Sequence, residues 1–472
     1  MSGMICISAS GGGGAVGNKP VISNFRCEGE PTLDSFVIKY IAIDNDNQIL
    51  RHTLILDGKR TEISTDVGCE NINREFTYTV KNLKGGTKYN VQIEVTDGVE
   101  TVQSDVISVT TSNVQTYGVK VMENNSNPNT SVTYIEGAVG VTPANSTSLG
   151  GWANKFPFDK IRIVGFKNGQ VTKEIKKDNK AQYTDGSTVP TDVDVMVEIP
   201  KVYWKFTNIS NGYELRISNT KIEGSDCYAH KVGGVEKDFI YVGAYLGYNQ
   251  SGKLRSRSGV TPTVSQTLTQ FRQQARANGN GYQQWNWFTL LLLQNLYLIA
   301  YKNLNSQQAL GQGVCSSSKT NTGGTNTKGF IYGSSNQNQQ VCFLGIEDFY
   351  GNLRQWVDGM KTDSSYNILV TSDNKNFNDN ASGFKNVGRS NYLSGGKISK
   401  VLHTNEGGYV PTELSGSDTT HYCDYGYVHS DYFGVSGGNW FEGSYDGAFF
   451  LDVNYGASES RSSLGSRLVF LG

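Results

Sequence analysis

Gly437-Gly-Asn-Trp-Phe-Glu-Gly-Ser-Tyr-Asp-Gly-Ala-Phe449, continued by Phe450-Leu-Asp-Val-Asn-Tyr455, is the stretch that decides the fold of this chain. Its first half is a Gly-rich loop carrying Trp440, Phe441 and Tyr445. Its second half alternates with the period of a strand. Phe449, Leu451, Val453 and Tyr455 fall on one face, and Ala448, Phe450, Asp452 and Asn454 on the other. The first set reads as a core face. The second mixes an aromatic ring with short polar groups, the composition that binding surfaces use: rigid contact area from the ring, adaptable hydrogen bonds from Asn, Ser, Asp and Gly. The candidate ligand-binding residues are therefore Phe450, Asp452 and Asn454 on the strand, with Phe441, Ser444, Tyr445, Asp446 and Arg461 of the same character on flanking loops. An ordinary solvated strand with one exposed Phe is the plainer alternative.

Working outward, two helices precede this region. In Ser265–Gly279, Leu268, Phe271 and Ala275 recur at helical spacing, with Ser265 or Thr267 to cap the start and Gly279 the end. A second helix, about Trp285 to Lys302, is apolar around most of its girth and must be buried. Its apolar run, Phe288 to Tyr301, is too short for the ~20 residues of a membrane span and contains Gln294 and Asn295. After Asn303 the chain is rich in Gly, Asn, Ser and Tyr, which predicts short strands and ordered loops held against the two helices. Tyr422, Tyr425, Tyr427, Tyr432 and Tyr445 crowd one part of it.

Toward the N-terminus, residues 1–18 read as a flexible Gly-rich arm. Residues 19–112 alternate strand and turn. Phe36, Ile38, Tyr40 and Ala42 form one strand face, Tyr89, Val91, Ile93 and Val95 another, with turn signals at Asp44–Asn47, Asp57-Gly58, Lys84–Gly86 and Asp97-Gly98. About seven short strands predict a β-sandwich. Residues 113–205 are a further β-rich region leading into residues 206–472. The fold class is thus multidomain and β-rich, a β-sandwich followed by an α+β domain with two helices.

Two resemblances sharpen this reading. Leu83-Lys-Gly-Gly-Thr-Lys-Tyr89-Asn-Val-Gln-Ile93 resembles the tyrosine corner of a fibronectin type III or Ig-like domain, in which a Tyr hydroxyl bonds back to nearby backbone. Gly345-Ile-Glu-Asp-Phe-Tyr-Gly-Asn-Leu-Arg-Gln-Trp-Val-Asp-Gly359, Gly437-Gly-Asn-Trp440 and Gly465-Ser-Arg467-Leu-Val-Phe470 together resemble the C-type-lectin-like fold of formylglycine-generating enzymes and of proteins diversified by retroelements. Within that group, residues 114–472 look most like variable tail adhesins of phages. The resemblance implies a virion protein that binds a host surface molecule, protein or glycan, through its C-terminal domain. It implies attachment to other virion proteins through the N-terminal region, and a homo-oligomer, most readily a trimer. In such relatives adenines are randomised, typically at Asn-type codons that yield Asn, Tyr, Asp, Ser, Phe, Gly or Arg but not Glu. Asn439, Phe441, Ser444, Tyr445, Asp446, Phe450, Asp452, Asn454 and Arg461 fit that menu, so the resemblance adds Asn439 to make nine candidate ligand-binding residues and implies Trp440, Gly447 and Gly465 as scaffold; Glu442 and Glu459 do not fit it. A capsid or tail decoration protein without a dedicated receptor is the structural alternative.

Charge and chemistry agree with a binder. The 42 Lys and Arg against 43 Asp and Glu leave a net charge of −1, which gives no field for nucleic acid or acidic membrane. The N-terminus lacks a basic segment before its apolar residues and does not read as a secretory signal, so exposure on the particle after lysis is the expected route. Seven cysteines (Cys6, Cys27, Cys69, Cys227, Cys315, Cys342 and Cys423) form no C-x-x-C pair, and the histidines no H-E-x-x-H. Cys27 and Cys69 either bridge or stay as thiols. The enzymes of the lectin-like group use a cysteine pair near the C-terminus to bind copper, and here only Cys423 lies in the last 130 residues. The calcium-binding triplets of lectins are absent. Carboxylate pairs for glycoside hydrolysis could be drawn from Asp348 and Asp358 or from Asp446 and Asp452, but single carboxylates on Gly-rich loops usually form turns. No catalytic residue, cofactor or metal is expected; an enzyme related to the formylglycine-generating group is the remotest reading.

Overall fold

The computed structural model describes residues 18–32, 34–45, 50–65 and 74–472. The expected arm before residue 18, Cys6, Cys69 and the Asp46-Asn47 end of the first turn signal lie outside them. The chain divides into two compact units, one ending at Val114 and one spanning Gln115–Gly472. It is β-rich and multidomain.

The first unit is built from two antiparallel sheets. One orders Val21–Glu28, Phe36–Ile43 and Arg74–Val80; the other runs Lys59–Thr65, Arg51–Leu56, Lys88–Thr96 and Thr101–Gln103, with Ile107–Thr110 also on Lys88–Thr96. The predicted alternation is what packs them: Phe36, Ile38, Tyr40 and Ala42 meet Leu54, Val91, Ile93, Val95 and Val109 in one core. Asp57 and Gly58 both have positive φ (48° and 81°), the two-residue turn that matches strand twist. The Tyr89 hydroxyl accepts the Lys84 backbone N–H at 2.8 Å, pinning the entry to Lys88–Thr96. Cys27 is half-buried.

The second unit holds a four-stranded sheet (Val132–Glu136, Thr116–Met122, Gly212–Ser218, Tyr203–Ile209), a six-stranded sheet and an eight-stranded sheet. The six-stranded sheet orders Gln170–Ile175, Arg162–Lys167, Asp194–Pro200, Phe239–Gly243, Leu468–Phe470 and Tyr282–Gln284. Residues 113–205 therefore do not form a separate connecting region. Three of their strands share a sheet with Leu468–Phe470, and the expected boundary at 205/206 falls inside the strand Tyr203–Ile209.

Helix α1 is Leu268–Arg276, α2 is Trp287–Tyr301 and a short α3 is Ser306–Ala309. Thr267 caps α1 in a reciprocal box with Gln270, and Asn286 caps α2 through the Thr289 N–H. Every residue of α2 is buried. Gln294 and Asn295 each make one bond inside the core, Gln294 Nε2 donating to the Ala448 carbonyl at 2.9 Å and Asn295 Oδ1 accepting the Tyr409 hydroxyl at 2.8 Å, while Gln294 Oε1 and Asn295 Nδ2 have no hydrogen-bond partner. Among the described residues no helix is long and apolar enough to cross a membrane.

The eight-stranded sheet carries the C-terminal stretch. Its order is Lys385–Arg389, Asn367–Val370, Arg354–Thr362, Phe433–Ser436, Leu451–Tyr455, Tyr425–Val428 and Leu393–Lys397, with Leu464–Gly465 joined to Arg354–Thr362. Leu451–Tyr455 is an inner strand with an apolar cluster on each side: Leu451 and Val453 pack with α2, while Phe450 packs with Trp356 and Phe433. This corrects the expectation of a strand with one solvated face. Tyr455 also leaves the face predicted for it and joins Phe450, because the pairing with Phe433–Ser436 slips between Phe433 and Val435.

Candidate functional site

The loop between Phe433–Ser436 and Leu451–Tyr455 is fixed from below by its own polar residues. Asn439 and Asp446 are fully buried. One Asp446 carboxylate oxygen accepts the Asn439 backbone N–H at 3.0 Å, and Asn439 Oδ1 accepts the Phe441 N–H at 3.1 Å. A Cβ on Gly438 (φ +77°) would overlap the Asp446 carboxylate, and one on Gly447 would overlap Asp424, so both glycines are needed for the close approach. Burial pushes the Asp446 and Asp424 carboxyls well above the usual range. The neighbouring 306–317 segment closes the underside, Gln307 Nε2 donating to the Gly443 carbonyl at 2.9 Å and the Ser317 N–H to the Trp440 carbonyl at 2.9 Å.

What this scaffold presents outward is aromatic. Phe441 is 62% exposed and Tyr445 45%. Phe441 meets the half-buried Trp440 edge-on at 5.3 Å, and Tyr445 lies 5.0 Å from the ring of Tyr425. Lys397 Nζ sits 4.7 Å from the Tyr445 ring centre, donates to the Cys423 carbonyl at 2.8 Å and pairs with Asp418 at 2.8 Å. Exposed Ser444 donates to the same Asp418 carboxylate at 2.8 Å. Tyr425 and Tyr427 alternate on one face of their strand, and Tyr427 meets the exposed Tyr392 at 6.4 Å. A band of rings thus runs from the loop across the edge of the sheet.

Of the nine sequence-predicted residues, Phe441, Ser444 and Tyr445 come together on the loop surface. Arg461 is exposed too, paired with Glu459 at 2.6 Å and 5.0 Å from the Tyr455 ring. Asn454 is half-buried. The other four are corrected: Asn439, Asp446, Phe450 and Asp452 are buried. Asn439 and Asp446 turn inward to hold the loop backbone. Phe450 stacks under Tyr425 at 5.8 Å, and Asp452 faces Arg354 Nη1 at 3.3 Å. Arg354 also binds Glu442, tying the loop to the sheet.

Sequence reasoning missed Lys397, Asp418, Tyr392 and Arg354. The crowding of tyrosines near 425 was the one legible signal; Tyr422, counted with them, is buried. Arg467, matched to the end of the lectin-like pattern, is also fully buried. It donates to the carbonyls of Gly243, Glu347 and Asp348 and to Gln355, holding three segments together. The carboxylates offered for hydrolysis are likewise engaged, Asp358 by Arg272 at 2.8 Å and Asp348 by Asn352 at 2.8 Å. Among the described residues one group has metal-ligand types in reach, Asp226, Cys227 and Glu236. Asp226 is paired with Lys231, Glu236 accepts the Tyr203 hydroxyl at 2.6 Å, and burial pushes the Cys227 thiol up to about 12.

No family model and no curated protein matches the chain. Among solved structures, the Major Tropism Determinant U1 variant aligns over 82% of this chain and 81% of its own, at 13% identity and a TM-score of 0.26. The P3c variant covers the same shares at 14% identity and a TM-score of 0.27. Superpositions at this level assign neither a fold nor an activity.

Proposed function

We propose that the chain is a bacteriophage receptor-binding protein, displayed on the virion, that recognises a host surface molecule through the aromatic band around Phe441 and Tyr445. The observation that carries this reading is the pairing of two large exposed rings with a loop whose own Asn439 and Asp446 are spent on holding its backbone. A fixed loop with exposed aromatics loses little conformational entropy on binding, and so converts contact area into affinity. The near-zero net charge supports recognition by stacking and hydrogen bonds, on a protein or a glycan.

The second unit is of the C-type-lectin-like kind on the motifs quoted above, and the first is fibronectin III- or Ig-like, which the Tyr89 bond supports. The first unit attaches to other virion proteins, and the particle carries the chain as an oligomer, a trimer for preference, so that several weak sites act together. Retroelement diversification, where present, acts on the surface set Phe441, Ser444, Tyr445, Asn454 and Arg461. The protein acts as an adhesin and not as an enzyme.

The test is adsorption. Full-length soluble protein should block infection of a sensitive host, and the Phe441→Ala/Tyr445→Ala double variant should block at least about tenfold less well at equal melting temperature. Equal blocking by both proteins would remove the aromatic band from the proposal, and no blocking by either would remove receptor binding.

A further inference from the structure

Glu123 directly follows the strand Thr116–Met122, and its side chain turns into the protein, leaving the residue 5% exposed. One carboxylate oxygen is engaged: Oε1 accepts the Val401 N–H at 3.1 Å and the Tyr422 hydroxyl at 3.2 Å. Oε2 has no hydrogen-bond donor among the described residues, yet it is not sealed in the core. It keeps accessible surface, and Glu123 lines an open cavity of about 480 Å³.

The group that faces Oε2 is a second acceptor. His403 Nε2 stands 3.8 Å from it, too far for a hydrogen bond. His403 Nδ1 donates to Asn208 Oδ1 at 2.6 Å, which places the ring proton there and leaves a lone pair on Nε2. Burial pushes the His403 imidazole below its usual range, so it stays neutral at pH 7. No cation on the cavity wall is left over to answer the pair. Lys400 Nζ is bound to Glu413 at 2.6 Å, so their charges cancel, and burial holds the His421 imidazole neutral as well. A carboxylate held out of water with one oxygen unanswered is costly, and burial accordingly pushes the Glu123 carboxyl up to about 7.

We propose that this cavity binds a primary ammonium group on a small hydroxylated body, the chemistry of an amino sugar. An ammonium carries three donors, so one group meets Glu123 Oε2 and His403 Nε2 together, across the gap that separates them. Asn124, Ser126 and Asn211 lie exposed around the mouth and offer amides and a hydroxyl to the hydroxyls of the ligand. The volume lies within the usual range for ligand pockets. The site shares no residue with the aromatic band and does not depend on the adhesin reading.

The experiment titrates the full-length protein at pH 7 with glucosamine, glucose, methylamine and zinc chloride, followed by ligand-observed NMR and calorimetry. Glucosamine should bind saturably. Glucose, the same ring without the charge, and methylamine, the charge without the ring, should each bind about tenfold or more weakly. Glu123→Gln keeps the oxygen that Val401 and Tyr422 use, and should remove the preference for glucosamine over glucose. His403→Phe keeps a ring stacked on Tyr213 but deletes Nε2, and should weaken glucosamine binding about threefold or more. The comparison of glucosamine with glucose on the unaltered protein decides the matter if neither variant folds. No saturable glucosamine binding, equal affinity for glucose, or glucosamine binding unaffected by either substitution overturns the site. Methylamine binding as tightly as glucosamine overturns the hydroxylated half of the assignment. Stoichiometric zinc binding that displaces glucosamine makes Glu123 and His403 metal ligands and overturns the ammonium.

Discussion

Replacing Arg354 by Met isolates the joint between the loop and the sheet. Arg354 Nε donates to Glu442 Oε2 at 3.0 Å, Nη2 pairs with the other Glu442 oxygen, and Nη1 reaches Asp452 Oδ2 at 3.3 Å and the Tyr455 hydroxyl. The side chains of Glu442 and Asp452 are each only 9% exposed, so the guanidinium is the counter-charge for two carboxylates held out of water. Its plane also covers the rings of Phe450 and Tyr455 at 5.4 and 5.6 Å. Breaking a buried pair by removing one partner costs about 3–5 kcal/mol, since the remaining charge stays buried. Met keeps most of the packing over the rings, so the loss is chiefly electrostatic.

That origin gives the defect a pH signature. Burial already pushes the Asp452 carboxyl up to about 6, with Arg354 as the main force holding it down. Without Arg354 the carboxyl rises further, and on acidification from pH 7.5 to 5 it takes up a proton, which removes one of the two unpaired charges. The stability difference between wild type and Arg354→Met should therefore be about 3–5 kcal/mol at pH 7.5 and shrink at pH 5 by up to about 2 kcal/mol, because the wild-type carboxyl also takes up a proton over this range. Urea unfolding followed by tryptophan fluorescence at the two pH values reads both quantities. A difference below about 1 kcal/mol at pH 7.5 would mean that the pair is solvated and worth no more than a surface bridge. A large difference that is unchanged at pH 5 would mean that packing, not charge, is what Arg354 supplies.

Three further outcomes follow from the same geometry. Gly438→Ala, at φ +77° against the Asp446 carboxylate, should cost about 2 kcal/mol or more, whereas Gly443→Ala, at φ +62° with open space around it, should cost about 1, measured by thermal unfolding. Gln294→Leu removes the donor to the Ala448 carbonyl from a fully buried helix and should cost about 1–3 kcal/mol in the same assay. Glu123, whose carboxyl burial pushes up to about 7, faces His403, His421, Lys400 and Glu413. A raised carboxyl pKa favours the protonated folded state, so this site's contribution to stability is full below about 4.5 and is lost as pH rises through about 7; Glu123→Gln should flatten the stability profile across that window.

The helices were legible because their signals are local. Leu268, Phe271 and Ala275 sit on one turn-to-turn face, and the whole girth of 288–301 is apolar, which leaves one interpretation for each. The loop was misread for the converse reason. Asn439, Asp446 and Asp452 are residue types that favour solvent, and only a distant partner says otherwise: Asp452 is buried because Arg354 lies opposite it, nearly a hundred positions earlier in the chain. Alternation also misled at 448–454, because a strand buried on both faces can carry an Asp when the neighbouring strand supplies a cation. Gly438 and Gly447 flank the error and were its one local clue, since each is the space a buried carboxylate occupies.

The division of labour within this loop bears on how binding could change without loss of the fold. Asn439 and Asp446 address backbone N–H groups of Asn439 and Phe441, bonds that do not depend on which side chains stand at 441, 444 and 445. Gln307 and Ser317 likewise address the carbonyls of Gly443 and Trp440. The display positions are therefore decoupled from the bonds that shape the loop, and substitutions there should fall within the ±0.5 kcal/mol typical of surface sites. The same reasoning forbids equal freedom at Asn439, Asp446, Phe450 and Asp452, where a new side chain would lose a backbone partner, a core contact or a counter-charge. A library randomised at all nine predicted positions should consequently yield folded protein mainly among members that keep those four. Sequencing the soluble fraction would count them: enrichment of the wild-type residue at 439, 446, 450 and 452, with none at 441, 444 and 445, is the expected result, and uniform enrichment across all nine would refute the decoupling.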